Sequence, residues 1–89
     1  MIGHRTRNVM IGGRRTSIRL EVAFWEALEE IMKREELTLN MLVARIGVAR
    51  KSDKNLSGAV RVFIFGYFYS LAHQRVPSLP LGYESRTYN

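Results

Sequence analysis

The residues of this sequence best suited to chemistry sit in one short alternating stretch. Residues 15–20 read Arg-Thr-Ser-Ile-Arg-Leu. Period two with β-branched residues predicts a half-buried strand, with Thr16, Ile18 and Leu20 on one face and Arg15, Ser17 and Arg19 on the other. The outward trio carries two guanidinium forks and a hydroxyl, which are groups that read base edges. A two-stranded antiparallel ribbon fits the major groove of B-DNA, where arginine grips guanine O6 and N7 and serine donates or accepts. An exposed polar face on any half-buried sheet has the same pattern, so the strand alone does not decide. A second feature adds to it. Thr38-Leu39-Asn40 starts a helix, and a helix start offers unpaired N–H groups and a favourable dipole to a phosphate.

Other chemistry finds little footing. There is no cysteine, hence no disulfide, thiolate metal site or cysteine nucleophile. His4 and His73 have no companion ligands at metal spacing. No Gly-x-Ser-x-Gly elbow occurs. Glu26, Glu29 and Glu30 fit a solvated helix face better than a buried acid pair. Gly12-Gly13 lacks the remainder of a phosphate-binding loop. Asn55-Leu56-Ser57 matches a glycosylation acceptor, but helix capping is the simpler role. The expectation is a protein that is not an enzyme and has no cofactor and no metal.

Charge is unevenly placed. The 89 residues hold 14 Lys+Arg and 8 Asp+Glu, a net charge of +6. Residues 1–20 carry five arginines and no acid, residues 21–36 carry a net −4, residues 37–61 a net +4, and the remainder +1. Two basic segments flanking an acidic one point to a localised electrostatic footprint, such as one for nucleic acid. A hydrophobic content of 46% argues against wholesale disorder. The length suits one domain, small enough for oligomerisation to contribute to its stability.

These groups need elements to position them. Residues 1–13, with three glycines, read as a flexible basic arm, in which Val9-Met10-Ile11 can pair as a short strand. The strand over 15–20 has no other partner in the core region, so the economical solution is the same strand of a second chain. From Glu21 the period changes: Phe24, Trp25, Leu28, Ile31 and Met32 line one helical face, predicting helix one over 22–35. Thr38 caps helix two, expected over 39–49, with Leu39, Leu42, Val43 and Ile46 on one face. A charged loop over 50–54 follows. Asn55 or Ser57 can cap a third helix carrying Ala59, Val60, Phe63, Ile64, Tyr67, Phe68 and Leu71. Residues 62–69 are also rich in strand formers, but the 3–4 spacing from 59 to 71 favours helix. Residues 73–89, with Pro77, Pro80 and Gly82, read as an irregular tail. No internal repeat is evident.

The block RTSIRLEVAFWEALEEIMKREELTLNMLVARI, residues 15–46, resembles the ribbon-helix-helix family of bacterial and phage DNA-binding proteins, which includes the Arc and methionine repressors. Residues 14–71 are closer still to small bacterial ribbon-helix-helix domain proteins, through Arg15-Thr16-Ser17, Phe24-Trp25, Leu39-Asn40, and Asn55-Leu56-Ser57 followed by Ala59, Arg61, Phe63 and Tyr67. The resemblance implies a mainly α fold with one short N-terminal strand, and an intertwined homodimer whose strands form one intermolecular ribbon. It implies base contacts from Arg15, Ser17 and Arg19 and phosphate contacts from Arg14, Thr38, Leu39 and Asn40. Ile18, Leu20, Phe24, Trp25, Leu28, Leu42 and Ile46 would form a shared dimer core. The minimal repressors have two helices, so a third is a departure.

The expected organisation is therefore an arm over 1–13, a domain over 14–72 and a tail over 73–89. The expected function is a homodimeric, sequence-specific DNA-binding protein that regulates transcription. The alternative is a dimeric protein-interaction module, antitoxin-like or adaptor, that uses the aromatic third helix and has weak or no specific DNA binding. Double-stranded DNA and a second copy are the expected partners, with a further dimer or another protein on helix three. The stretch 62–71 is too short to span a bilayer and no signal-peptide run occurs, so the expected location is cytoplasmic, with no membrane partner.

Overall fold

A computed structural model describes residues 3–50 and 55–80, apart from the side chains of 48–50. The order is β1 (His4–Ile11), β2 (Arg14–Glu21), α1 (Val22–Glu35), α2 (Leu39–Arg50) and α3 (Leu56–Ala72). β1 and β2 pair antiparallel, with Ile11 opposite Arg14 and His4 opposite Glu21. Gly12 and Gly13 make the turn, at φ 59° and 79°. Positive φ at both central residues of a two-residue loop is the type I′ condition, whose twist matches that of paired strands.

This hairpin corrects two expectations. Residues 4–11 are not a flexible arm but a full strand. The strand over 15–20 also has its partner inside the same chain, so the two-stranded ribbon is intramolecular rather than shared between two chains. Ladder geometry follows from the contacts at its end. The amide of Val22 donates to the carbonyl of Gly3 at 2.9 Å. Gly3, Arg5, Arg7, Val9 and Ile11 thus occupy the hydrogen-bonded positions, and the alternate pairs His4–Glu21, Thr6–Arg19, Asn8–Ser17 and Met10–Arg15 stand side chain to side chain.

The inner face of the ribbon closes on three helices. Val9, Ile18 and Leu20 are buried with Trp25, Leu28 and Ile31 of α1, Leu42, Val43 and Ile46 of α2, and Leu56, Val60, Ile64 and Tyr67 of α3. Of the residues assigned to a shared dimer core, six are buried within this one chain, and Phe24 is half-buried at its edge. α1 has the predicted bounds. It ends in a left-handed Glu36, φ 58°, with the amides of Glu36 and Leu37 donating back to the carbonyls of Lys33 and Met32. This pair of bonds satisfies the orphan carbonyls of the last turn.

Thr38 caps α2, its hydroxyl accepting from the Met41 amide at 3.1 Å. Neither predicted cap of α3 makes a side-chain cap bond. Asn55 holds the cap position in the left-handed region, φ 56°. Its amide group lies over Gly58, where an added Cβ would come within 2.8 Å of it. The Ser57 hydroxyl bonds to β2 instead. Over 62–69 the helical reading is the one observed. Residues 75–80 are irregular, and Leu79 packs against the chain's own core. Loop residues 51–54 and tail residues 81–89 lie outside the described residues.

Candidate nucleic-acid interface

The outward face of the ribbon carries eight side chains in four cross-strand pairs. From the turn end they are Met10–Arg15, Asn8–Ser17 and Thr6–Arg19, all exposed, and then His4–Glu21, in which Glu21 is half-buried. The Ser17 hydroxyl donates to the Asn8 Oδ1 at 2.8 Å. Among the described residues, neither the Arg15 nor the Arg19 guanidinium has an ion-pair or hydrogen-bond partner. Arg7, by contrast, lies on the inner side. It reaches Glu29 at 3.2 Å and sits 4.9 Å from the centre of the Trp25 ring. Arg7 thus fastens β1 to α1, one of several ways in which the basic N-terminal segment divides between structure and surface.

The two edges of the ribbon are held in matching ways. The Met10 amide donates to the Asn40 Oδ1 at 3.4 Å, and the Arg19 amide donates to the Ser57 hydroxyl at 3.2 Å. An axis through the Asn8–Ser17 pair, normal to the ribbon, exchanges the strands. It carries Met10 onto Arg19 and Thr6 onto Arg15. Asn40 and Ser57 each stand second in their helix, after Leu39 and Leu56 and the caps Thr38 and Asn55. The first helical carbonyl bonds match as well: Leu42 to Thr38 at 3.0 Å and Ala59 to Asn55 at 3.1 Å. One chain therefore flanks its ribbon with two equivalently placed helix starts. This is the internal repeat the sequence conceals, because Thr-Leu-Asn and Asn-Leu-Ser share only leucine.

The predicted site residues come together in part. Arg15 and Asn40 line one recess of about 150 Å³ with Asn8 and Met10. Ser17 and Arg19 continue the same face. Arg14 is exposed where β2 leaves the turn. Thr38 is exposed and engaged as a cap, Leu39 is half-buried, and Asn40 is exposed and tied to β1. Sequence reasoning misses Thr6, Asn8 and Met10. The signal that finds them is Gly12-Gly13 read as a hairpin turn between two alternating runs.

Charge at the far end of the ribbon is locked into the fold. The Arg61 guanidinium bonds the Glu21 carboxylate at 2.9 Å and holds its pKa below the usual value; His4 lies 3.5 Å from the same carboxylate. Near the base of α1, the Tyr67 hydroxyl donates to the Glu35 carboxylate at 2.5 Å and accepts from the Arg34 Nε at 3.4 Å. Burial, followed by that bond to Glu35, raises the pKa of Tyr67, and the bond to Tyr67 raises that of Arg34.

A second surface lies along α3. Phe24, Arg61, Val62, Phe65, Phe68 and Tyr69 contribute to an open groove of about 650 Å³. Val62 is 71% exposed, Phe65 66% and Tyr69 48%. The rings of Phe65 and Tyr69 stack with centres 5.5 Å apart.

A hairpin whose outward face is polar and basic, backed by helices, places the chain in a known class. The model of the ribbon-helix-helix domain matches residues 4–68, and the chain belongs to that family. Such domains generally dimerise and bind DNA, as regulators or in antitoxin-like roles, and the family is regulatory rather than enzymatic. Among solved structures, the chain is similar to an uncharacterized protein from Bordetella pertussis Tohama I. The identity is 27% and the TM-score 0.75, over 99% of this chain and 73% of that one. None of the curated proteins matches. Among the described residues, no helix is long and apolar enough to cross a membrane.

Proposed function

We propose that this chain is a sequence-specific, non-enzymatic DNA-binding protein of the cytoplasm that regulates transcription, two copies acting together. The observation that carries this reading is the outward ribbon face, where Arg15 and Arg19 present guanidinium forks on either side of Ser17, unengaged among the described residues. A ribbon of this width enters the major groove, and forked donors there discriminate guanine. Arg14 and the start of α2 at Thr38, Leu39 and Asn40 are the phosphate contacts in this reading, fixing register without reading sequence. The test is selection of bound duplexes from a random pool. A reproducible motif, lost when Arg15 and Arg19 are both replaced by Ala, supports the function. No enrichment by the unaltered chain refutes it.

The groove on α3 favours a second reading, an interaction module. Val62, Phe65, Tyr69 and Ala72 follow the 3–4–3 spacing of a coiled-coil seam, and a second copy of α3 presents the matching surface. In this reading the copies meet across α3, and the ribbon of each remains whole.

A further inference from the structure

A ribbon built from two identical strands presents the same side chains to both halves of its site, so the bases beneath it must be self-complementary. The ribbon of this chain is not of that kind. The axis through its centre exchanges Asn8 with Ser17, Thr6 with Arg15 and Met10 with Arg19. No exchanged pair is chemically alike. The edge amides at Met10 and Arg19 are nevertheless both held, by Asn40 and by Ser57, so each strand is tied to a helix start.

The central pair has a defined polarity. Ser17 donates to the Asn8 Oδ1 at 2.8 Å, with the amide oxygen turned toward the serine. The second lone pair of that oxygen and both N–H groups of Nδ2 remain for a ligand. A base edge that complements them must offer a donor beside an acceptor. In the major groove, adenine does so with N6 and N7; guanine shows two acceptors, cytosine a donor alone, and thymine an acceptor and a methyl. Met10 and the Thr6 methyl add apolar surface on β1, suited to a thymine methyl, opposite the arginines of β2.

Resting on the DNA-reading function proposed above, we propose that the bases beneath the ribbon form a non-self-complementary subsite, with Asn8 the specificity-determining residue for adenine at its centre. β1 is thus a reading strand in its own right, and Arg15 and Arg19 supply guanine contacts from β2 alone.

The test is selection from a random duplex pool with the full chain in three forms: unaltered, Asn8→Ala and Asn8→Asp. Asn8 is exposed, and equal thermal melting of the three forms verifies that each is folded. The unaltered chain is expected to enrich an asymmetric unit, alone or as two separated copies. Asn8→Ala is expected to lose preference at a single adenine position by about 5- to 150-fold while keeping the guanines. Asn8→Asp, which replaces the Nδ2 donors with a carboxylate oxygen, is expected to prefer cytosine there, since carboxylates accept from cytosine N4. If the unaltered chain enriches a motif that Asn8→Ala and Asn8→Asp enrich identically, this proposal is overturned and the DNA-reading function stands. If none of the forms enriches anything, both fall.

Discussion

The indole Nε1 of Trp25 donates to the main-chain carbonyl of Arg5 at 2.8 Å. The bond joins the first helix to the strand that sequence periodicity hides. Trp25 is buried, and its ring also carries the Arg7 guanidinium, so one side chain both fills the core and anchors β1. Replacing Trp25 with Phe keeps an aromatic ring and removes the donor. The expected cost is about 1–3 kcal/mol, from the lost hydrogen bond together with the smaller ring at a buried site. Urea unfolding followed by circular dichroism checks it: the midpoint should fall with the slope unchanged.

The turn offers a test of the hairpin itself. A Cβ on Gly12 meets nothing within 4 Å, so any cost of a side chain there is a backbone cost at φ 59°. Gly12→Ala should destabilise by about 1–2 kcal/mol, the penalty of the left-handed region. Gly12→Asn should cost markedly less, because Asn-Gly is a favoured type I′ sequence. Equal stabilities for the two variants would contradict the type I′ turn.

Tyr67 sets an alkaline limit. Burial and the bond to Glu35 raise its folded pKa above the ordinary value of 10.0. The folded state therefore holds the phenolic proton more tightly than the unfolded state. That contribution is complete below the unfolded pKa and is lost as pH rises from about 10 through the folded value. Melting temperatures measured from pH 8 upward should fall beyond that point, and Tyr67→Phe should flatten the fall.

Base and phosphate contacts should separate by their salt behaviour. Arg15→Ala or Arg19→Ala should each weaken binding to the selected sequence by about 1–3 kcal/mol, the worth of one bidentate grip on a base, and relax preference at that position. Asn40→Ala should weaken binding to all sequences alike, and Arg14→Ala should also reduce the slope of log K against log salt by about one. Titrations at several salt concentrations, on specific and scrambled duplexes, distinguish the two groups.

The α3 groove predicts a separable assembly. Phe65→Glu places a charge in the middle of the Val62, Phe65, Tyr69 stripe. Sedimentation at high micromolar concentration should show the unaltered chain as a dimer and the variant as a monomer. A monomer in both cases would remove the second copy from the groove.

Legibility in the sequence follows the hydrophobic period. α1 is readable to the residue because Phe24, Trp25, Leu28 and Ile31 repeat at helical spacing and few other apolar residues interrupt them. α2 is readable because Thr38 is a true cap. β1 is not, because two of its four inward positions are Arg5 and Arg7, whose charged heads escape at the rim of the core; Arg7 lays its guanidinium over Trp25 instead. With β1 hidden, β2 has no evident partner within the chain, and a second chain becomes the only source of one. The roles of Asn40 and Ser57 on the ribbon edges are equally hidden, since both depend on tertiary placement. Asn55 and Ser57 look like caps in sequence, and one lies over a glycine while the other serves a strand.

The two-residue turn at Gly12-Gly13 has a kinetic meaning. A ribbon shared between chains must form by collision, and it dissolves on dilution. This one forms by closure of a hairpin, a first-order event on the microsecond scale. Both strands of its outward face therefore come from one molecule. Meeting a second copy can then set how many ribbons arrive at a site without deciding whether each one exists.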